Sequence, residues 1–174
     1  MGCGKSTVGR DLHDLLGYPL IDTDTVIENQ AGKSISRIFA DEGEEAFRER
    51  ETGLLRELHA DTGKRCIIAT GGGIVIRPEN RELLRLLGYV VWLRAPHQLI
   101  LKRTRRNTAR PLLATEDPAE RIRTLLDERG PWYLECAHLQ LDTAGLNSRE
   151  VATGILESAR YYFTTQQPPP CPPP

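Results

Sequence analysis

Several things are scarce in this sequence. Its 174 residues include four lysines, one methionine, two tryptophans and three phenylalanines. Charge of either sign is not in surplus: 23 basic and 24 acidic residues leave a net charge of −1. No basic field is available to gather nucleic acid. No apolar run approaches the roughly 20 residues that a membrane span needs. No charged segment followed by an apolar stretch opens the chain, so no secretion signal is expected. The four cysteines (Cys3, Cys66, Cys136 and Cys171) have neither Cys-x-x-Cys nor Cys/His ligand spacing. They read as free thiols, which suits a reducing cytoplasm. The histidines (His13, His59, His97 and His138) form no constellation, and no internal repeat is visible. With lysine so rare, arginine carries most of the positive charge. Arginine is the better bidentate partner for carboxylate and phosphate, but base composition of the gene explains the bias equally well.

What is present begins with Gly2-Cys3-Gly4-Lys5-Ser6-Thr7. This matches the closing part of a phosphate-binding loop, G-x-x-x-x-G-K-[ST]. Glycines let backbone N–H groups converge on an anion, and the following helix adds the positive end of its dipole. In that motif Lys5 serves the β- and γ-phosphates and the Ser6 hydroxyl ligates Mg²⁺. The alternative is a glycine-rich turn that caps a helix, with a chance lysine. Cys3 sits inside the loop as a small residue, with some reactivity expected beside Lys5 and a helix start.

The length suits one domain with a full core. Periodicity predicts a helix over Lys5–Leu16, stopped by Gly17. A short strand, Leu20–Asp22, ends in the carboxylate pair Asp22 and Asp24. Strand C-terminal ends are where open α/β sheets place ligands. Helices follow over Thr25–Gln30, from Ser36 to Ala40 and over Glu44–His59. Cys66–Thr70 is an apolar run typical of a buried parallel strand, and Gly71-Gly72-Gly73 follows it. Three glycines cost conformational entropy, which points to close backbone approach to a ligand. A helix runs from Pro78 to Gly88, a strand over Tyr89–Leu93 and a helix over His97–Arg105. Residues 107–116 carry no periodicity and read as a lid-like loop. Asp117-Pro118-Ala119-Glu120 opens a helix to about Arg129. A strand, Leu139–Asp142, precedes a last helix capped by Asn147 and Glu150 and ending near Tyr162. Strands alternating with helices give an α/β fold with a parallel sheet covered on both faces. Residues 1–163 form the domain. Residues 164–174, rich in proline, read as a solvated, disordered tail.

Five motifs in order are similar to those of the shikimate kinase family. They are Asp22-x-Asp24, Phe47-Arg48-x-x-Glu51, Gly71-Gly72-Gly73, Arg110-Pro111-Leu112-Leu113 and Arg129-x-x-x-Tyr133. The resemblance implies a P-loop, nucleoside-monophosphate-kinase-like fold with a lid. It also implies MgATP-dependent phosphorylation of the shikimate 3-hydroxyl. By the same resemblance Asp24 contacts substrate hydroxyls and acts as the base, and Asp22 helps hold Mg²⁺ through water. Arg48 and Arg129 bind the substrate carboxylate, and Gly72, flanked by Gly71 and Gly73, donates a backbone N–H. Arg110 reaches the transferred phosphate, and Arg103 lies near adenine. ATP and shikimate are then the partners, with no nucleic acid or membrane, and the enzyme is a monomer. The family often has an arginine or glutamine near position 146 against adenine. Leu146 stands there instead, so that contact is not expected.

The residues fit this chemistry, since phosphoryl transfer asks mainly for positioning and charge neutralisation. Lys5, Arg110 and Mg²⁺ offset charge on the transferred group, and Asp24 orients the acceptor hydroxyl and takes its proton. Each residue also has a plainer reading. Asp22 and Asp24 would be a helix cap and a solvated acid. Arg48 would be an i,i+4 surface pair. Arg129 would interact with a helix C-terminus. Another small-metabolite kinase of the same fold, such as a gluconate kinase, is an alternative. So is a non-catalytic nucleotide-binding module, because the loop is incomplete. The motif's first glycine falls two residues upstream of Met1, and the strand that normally feeds the loop has no counterpart. Many family members read G-P-M-G-x-G-K-S, which puts Met1 on an internal methionine. The expectation is an N-terminally truncated domain whose first, central strand is missing, with low stability and activity.

Overall fold

Capping residues and apolar spacing set most of the elements. The computed structural model describes residues 2–61, 64–104 and 117–165. Helix α1 (Lys5–Leu16) leads to strand β1 (Leu20–Asp22), α2 (Thr23–Ala31) and α3 (Ile35–Ala60). Then come β2 (Ile67–Ala69), a 3-10 turn at Ile74–Ile76, α4 (Pro78–Leu87), β3 (Val91–Arg94) and α5 (His97–Thr104). The last elements are α6 (Pro118–Cys136), β4 (Leu139–Asp142) and α7 (Ser148–Thr165).

The caps are where polar side chains fall just before apolar periodicity. Ser34 accepts from the Arg37 N–H at the start of α3. Asp117 accepts from Ala119 and Glu120 before α6. Asn147 and Glu150 bond reciprocally around the start of α7, which satisfies donors that the first turn leaves orphaned. The cap of α2 is Asp22, which accepts from Asp24 N and Thr25 N; α2 therefore begins two residues earlier than periodicity predicts.

Two other helices depart from expectation. Gly43 takes φ 86°, ψ 172° and breaks α3, in a left-handed region that only glycine enters cheaply. The second half of α3 carries Phe47, Arg48, Glu51, Leu54 and Leu55 inward. Helix α6 does not stop at Arg129. It passes through Pro131 to Cys136, although proline removes one helical N–H. Packing carries it: Trp132, Tyr133 and Cys136 join Leu55, Ile74 and Val75 in one apolar cluster. Helix α7 also runs on to Thr165, so residues 164 and 165 belong to the helix and not to the tail. The lid segment and residues 166–174 lie outside the described residues.

Strands pair in parallel, β1 with β2 (Leu20 opposite Ile67) and β3 with β4 (Val91 opposite Leu139). Among the described residues these are two separate two-stranded sheets. Strand β3 alternates between faces, as a pleated strand must. Val91 and Leu93 pack with Val8, Val151 and Ile155 of α1 and α7. Trp92 instead lies 5.3 Å from the Tyr133 ring of α6. Among the described residues the parallel strands thus form two halves flanked by helices. A cavity of about 2050 Å³ lies between the halves.

Candidate active site

The phosphate loop occupies the turn into α1. Gly2 and Gly4 have φ of 67° and 95°, and the Gly4 carbonyl accepts from Thr7 N and Val8 N as the helix begins. Arg103 of α5 donates to the Gly2 carbonyl at 3.2 Å, which places it over the loop. The Lys5 ammonium lies 4.0 Å from the Cys3 sulfur. Burial pushes the Cys3 thiol up, but the positive charge of Lys5, helped by the amino terminus and backbone N–H groups, outweighs it and holds the thiol below its ordinary value.

Asp22 connects this loop to the acceptor side. Its Oδ2 receives the Ser6 hydroxyl at 3.3 Å, while its Oδ1 caps α2. Two hard oxygen donors thus converge beside the loop. Among the described residues no group of three or more His, Cys, Asp or Glu side chains could hold a metal. A pair of protein oxygens suits Mg²⁺, which keeps waters and phosphate oxygens as its other ligands.

On the acceptor side, Asp24 and Glu51 face the same backbone. A Cβ at Gly71 would fall 2.8 Å from Asp24 Oδ1 and 3.3 Å from Glu51 Oε1. The Gly71 N–H donates to Thr23 Oγ1, and the Gly72 carbonyl accepts from the Tyr133 hydroxyl at 2.5 Å. Arg48 is only 4% exposed. It donates to Glu51 Oε2 at 2.6 Å and to Glu44 Oε1 at 2.6 Å. Burial lowers Arg48's proton affinity, yet Glu51 and Glu44 more than restore it. Glu51 is 1% exposed, and among the described residues its Oε1 has no hydrogen-bond partner. Burial pushes Glu51 up to about 7; the Asp24 charge adds to this and Arg48 opposes it. Arg129 is 7% exposed and shares a small cavity with Gly72 and Tyr133. Burial also raises the Tyr133 hydroxyl, against the pull of Arg129.

The fold therefore gathers Gly2, Cys3, Gly4, Lys5, Ser6, Thr7, Asp22 and Arg103 into one half-site. Asp24, Arg48, Gly71, Gly72, Gly73 and Arg129 form the other. Cys3, Lys5, Gly71 and Gly72 line one continuous cavity. Arg110 lies outside the described residues. Arg48 does make the i,i+4 pair of its plain reading, with Glu44, but as a buried residue and not a surface one; Arg129 is also buried and sits inside α6 and not at its end. Glu51 and Tyr133, which the motifs named without assigning them a role, and Thr23 join the site. The signal for Glu51 was its i,i+3 spacing from Arg48 on one helix face.

A family model for shikimate kinase matches residues 1–160. The chain belongs to the shikimate kinase family. A shikimate kinase of Halorhodospira halophila is 48% identical over 158 residues, covering 91% of this chain and 88% of that one. A shikimate kinase of Legionella pneumophila (strain Corby) is 46% identical over 157 residues, covering 90% and 89%. Among solved structures, the shikimate kinase from Acinetobacter baumannii in complex with shikimate superposes with a TM-score of 0.87. The two are 42% identical, over 97% of this chain and 91% of that one. A gluconokinase from Sinorhizobium meliloti reaches a TM-score of 0.56 at 17% identity, which speaks to fold alone. The P-loop kinase architecture read from the sequence is the family's architecture, with parallel strands flanked by helices.

Proposed function

We propose that this chain transfers the γ-phosphoryl group of ATP to the 3-hydroxyl of shikimate. The observation that carries the reading is the buried Arg48 against Gly73 and the carboxylate of Asp24 against Gly71, with Gly71 and Gly72 on the same cavity as Cys3 and Lys5 of the phosphate loop, in a chain of this family. The loop N–H groups and Lys5 hold the nucleotide phosphates, Arg103 lies over the loop, and Arg110 serves the transferred phosphate by the family resemblance. Arg48 and Arg129 take the shikimate carboxylate, and Gly72 N–H steadies the acceptor ring. Asp24 accepts the proton of the 3-hydroxyl as its oxygen bonds to the γ-phosphorus and the bond to ADP breaks. Positioned general-base help of this kind is worth about 10²–10⁴-fold. Ser6 and Asp22 would hold Mg²⁺, which supplies charge neutralisation at the phosphates when bound. On this reading the enzyme works as a monomer in the cytoplasm, where the thiols of Cys3, Cys66 and Cys136, free in this structure, persist.

The test is a coupled assay for ADP release with MgATP and shikimate, run beside gluconate and nucleoside monophosphates. Turnover with shikimate alone is expected. Asp24→Asn is expected to abolish it while ATP binding stays near normal. Equal turnover with gluconate, or full activity of the Asp24→Asn variant, would end the proposal.

A further inference from the structure

Strands β1 and β2 end side by side, with Asp22 opposite Ala69. The acceptor side of the site lies just past those ends. In the parallel ladder Ile67 N–H donates to the Pro19 carbonyl at 2.9 Å, and rungs of this kind recur at even spacing. Four residues further along both strands, the same rung would join Gly71 N–H to the Thr23 carbonyl. That carbonyl has left the ladder. Thr23 is the first residue of α2, so its C=O points along the helix toward the next turn. The Gly71 N–H donates instead to Thr23 Oγ1 at 3.3 Å. A hydroxyl thus completes the rung while the backbone turns into a helix. Thr23 is 1% exposed, so bulk water does not compete at that hydroxyl.

The residues on either side of Thr23 are the two acids of the site. Asp22 Oδ1 accepts from Asp24 N–H at 3.1 Å, and Asp24 Oδ1 lies 2.8 Å from the place of a Gly71 Cβ. The glycine turn opposite is fixed peptide by peptide. The Gly71 carbonyl accepts from Ile74 N–H, the Gly73 carbonyl from Ile76 N–H and the Gly72 carbonyl from the Tyr133 hydroxyl. No peptide bond among the described residues is cis, and in a trans peptide N–H and C=O point opposite ways. The Gly72 N–H therefore points away from the Ile74–Ile76 turn. The first peptide of the turn, the one that ends in Gly71 N–H, is held by Thr23.

We propose that Thr23 is a positioning residue for phosphoryl transfer: its hydroxyl locks the helix turn that carries Asp24 to the glycine turn that carries the Gly72 N–H. The proposal rests on the kinase reading above. One bound acceptor has to meet Asp24 and the Gly72 N–H together, so the two backbone segments need a fixed relation. A misplacement of about 1 Å can cost about a hundredfold in rate. The residue type fits the task. Threonine is stiff at χ1, which aims the oxygen; valine has the same shape and no acceptor.

The test compares the wild-type chain with Thr23→Val and Thr23→Ser in the coupled assay with MgATP and shikimate, beside thermal melts and amide exchange. Thr23→Val is expected to lower kcat by about tenfold or more, with the Michaelis constant for ATP changed far less. Thr23→Ser keeps the acceptor and should recover kcat to within about threefold of the wild type. Exchange at Gly71 and Gly72 should quicken about tenfold or more in the valine variant, and not along α7. Thr23→Cys, similar in size with a weak acceptor, replaces Thr23→Val if the valine chain does not fold. A variant without the hydroxyl that melts lower yet keeps its kcat would show a structural role only and overturn the proposal. A serine variant as slow as the valine one, or unchanged exchange at Gly71 and Gly72, would also overturn it. A wild-type chain with no shikimate turnover would refute the kinase reading, and the exchange measurement then decides on the Thr23 lock by itself.

Discussion

The Arg48 guanidinium fills the space that a side chain on Gly73 would need. A Cβ placed there falls 2.3 Å from Nη1 and 2.5 Å from Nη2. Gly73→Ala must therefore push Arg48 off Glu51, or displace the glycine turn itself. The expected outcome is a rise of at least tenfold in the Michaelis constant for shikimate, with that for ATP changed far less. Steady-state kinetics with each substrate varied in turn will measure this.

Arg48→Lys should be nearly as harmful as Arg48→Ala. The guanidinium serves Glu44 and Glu51 at once, and a single ammonium cannot reproduce that fork. Both variants leave Glu51 buried with a broken pair, a change that commonly costs about 3–5 kcal/mol. Denaturant melts should show the stability loss, and a lysine variant as stable as the wild type would contradict this view of the pair.

Glu51 gives stability a pH dependence with a definite sign. Its carboxyl sits near 7 in the folded chain against 4.5 for the unperturbed group. The folded state therefore binds more protons between those values, and the contribution to stability is full below about 4.5 and lost as pH rises through 7. Glu51→Gln removes the titration while keeping the shape. The difference in melting temperature between pH 5 and pH 8 should shrink in that variant. A limb near pH 7 in the profile of kcat/KM should also disappear.

Ser6→Ala should raise the Mg²⁺ concentration needed for half-maximal activity severalfold and leave the melting temperature almost unchanged, because the Ser6–Asp22 bond is exposed. Asp22→Ala should do both harms, since the cap of α2 goes too, at a cost of about 1 kcal/mol. Asp22→Asn should retain the cap and lose only the metal dependence. Activity titrations with MgCl₂ beside thermal melts separate the three.

Tyr133→Phe removes the hydroxyl that holds the Gly72 carbonyl. A loss of about 1 kcal/mol in stability is expected, together with weaker shikimate binding as the triple glycine loosens. Urea melts and calorimetric titration with shikimate check the two halves of that statement.

Much of this was legible in the chain, and the reasons are physical. Caps such as Asp117 and Asn147 are local events, set within three residues, so they read correctly. The apolar runs that became β2 and β3 were also visible, but their ends were not. Cys66, Thr70, Tyr89 and Val90 fit the pattern yet fall outside the observed strands. The extent of α6 was hidden because a proline, read locally, says stop. Only tertiary contacts of Trp132 and Tyr133 carry the helix past it. The burial of Glu51 was hidden for a related reason. On sequence it is one of several acids around Arg48, and its depth is known only once Gly71 and Asp24 are beside it.

Asp22 gives its two oxygens to two different helices, one to Ser6 at the start of α1 and the other to the first turn of α2, where Asp24 sits. On the proposed reading, a nucleotide that draws Ser6 toward its phosphates would loosen one grip of the carboxylate that caps the turn carrying Asp24. Donor and acceptor would then be linked energetically through a single side chain. Such linkage is reciprocal: whatever factor the nucleotide lends to the acceptor's affinity, the acceptor returns in equal measure.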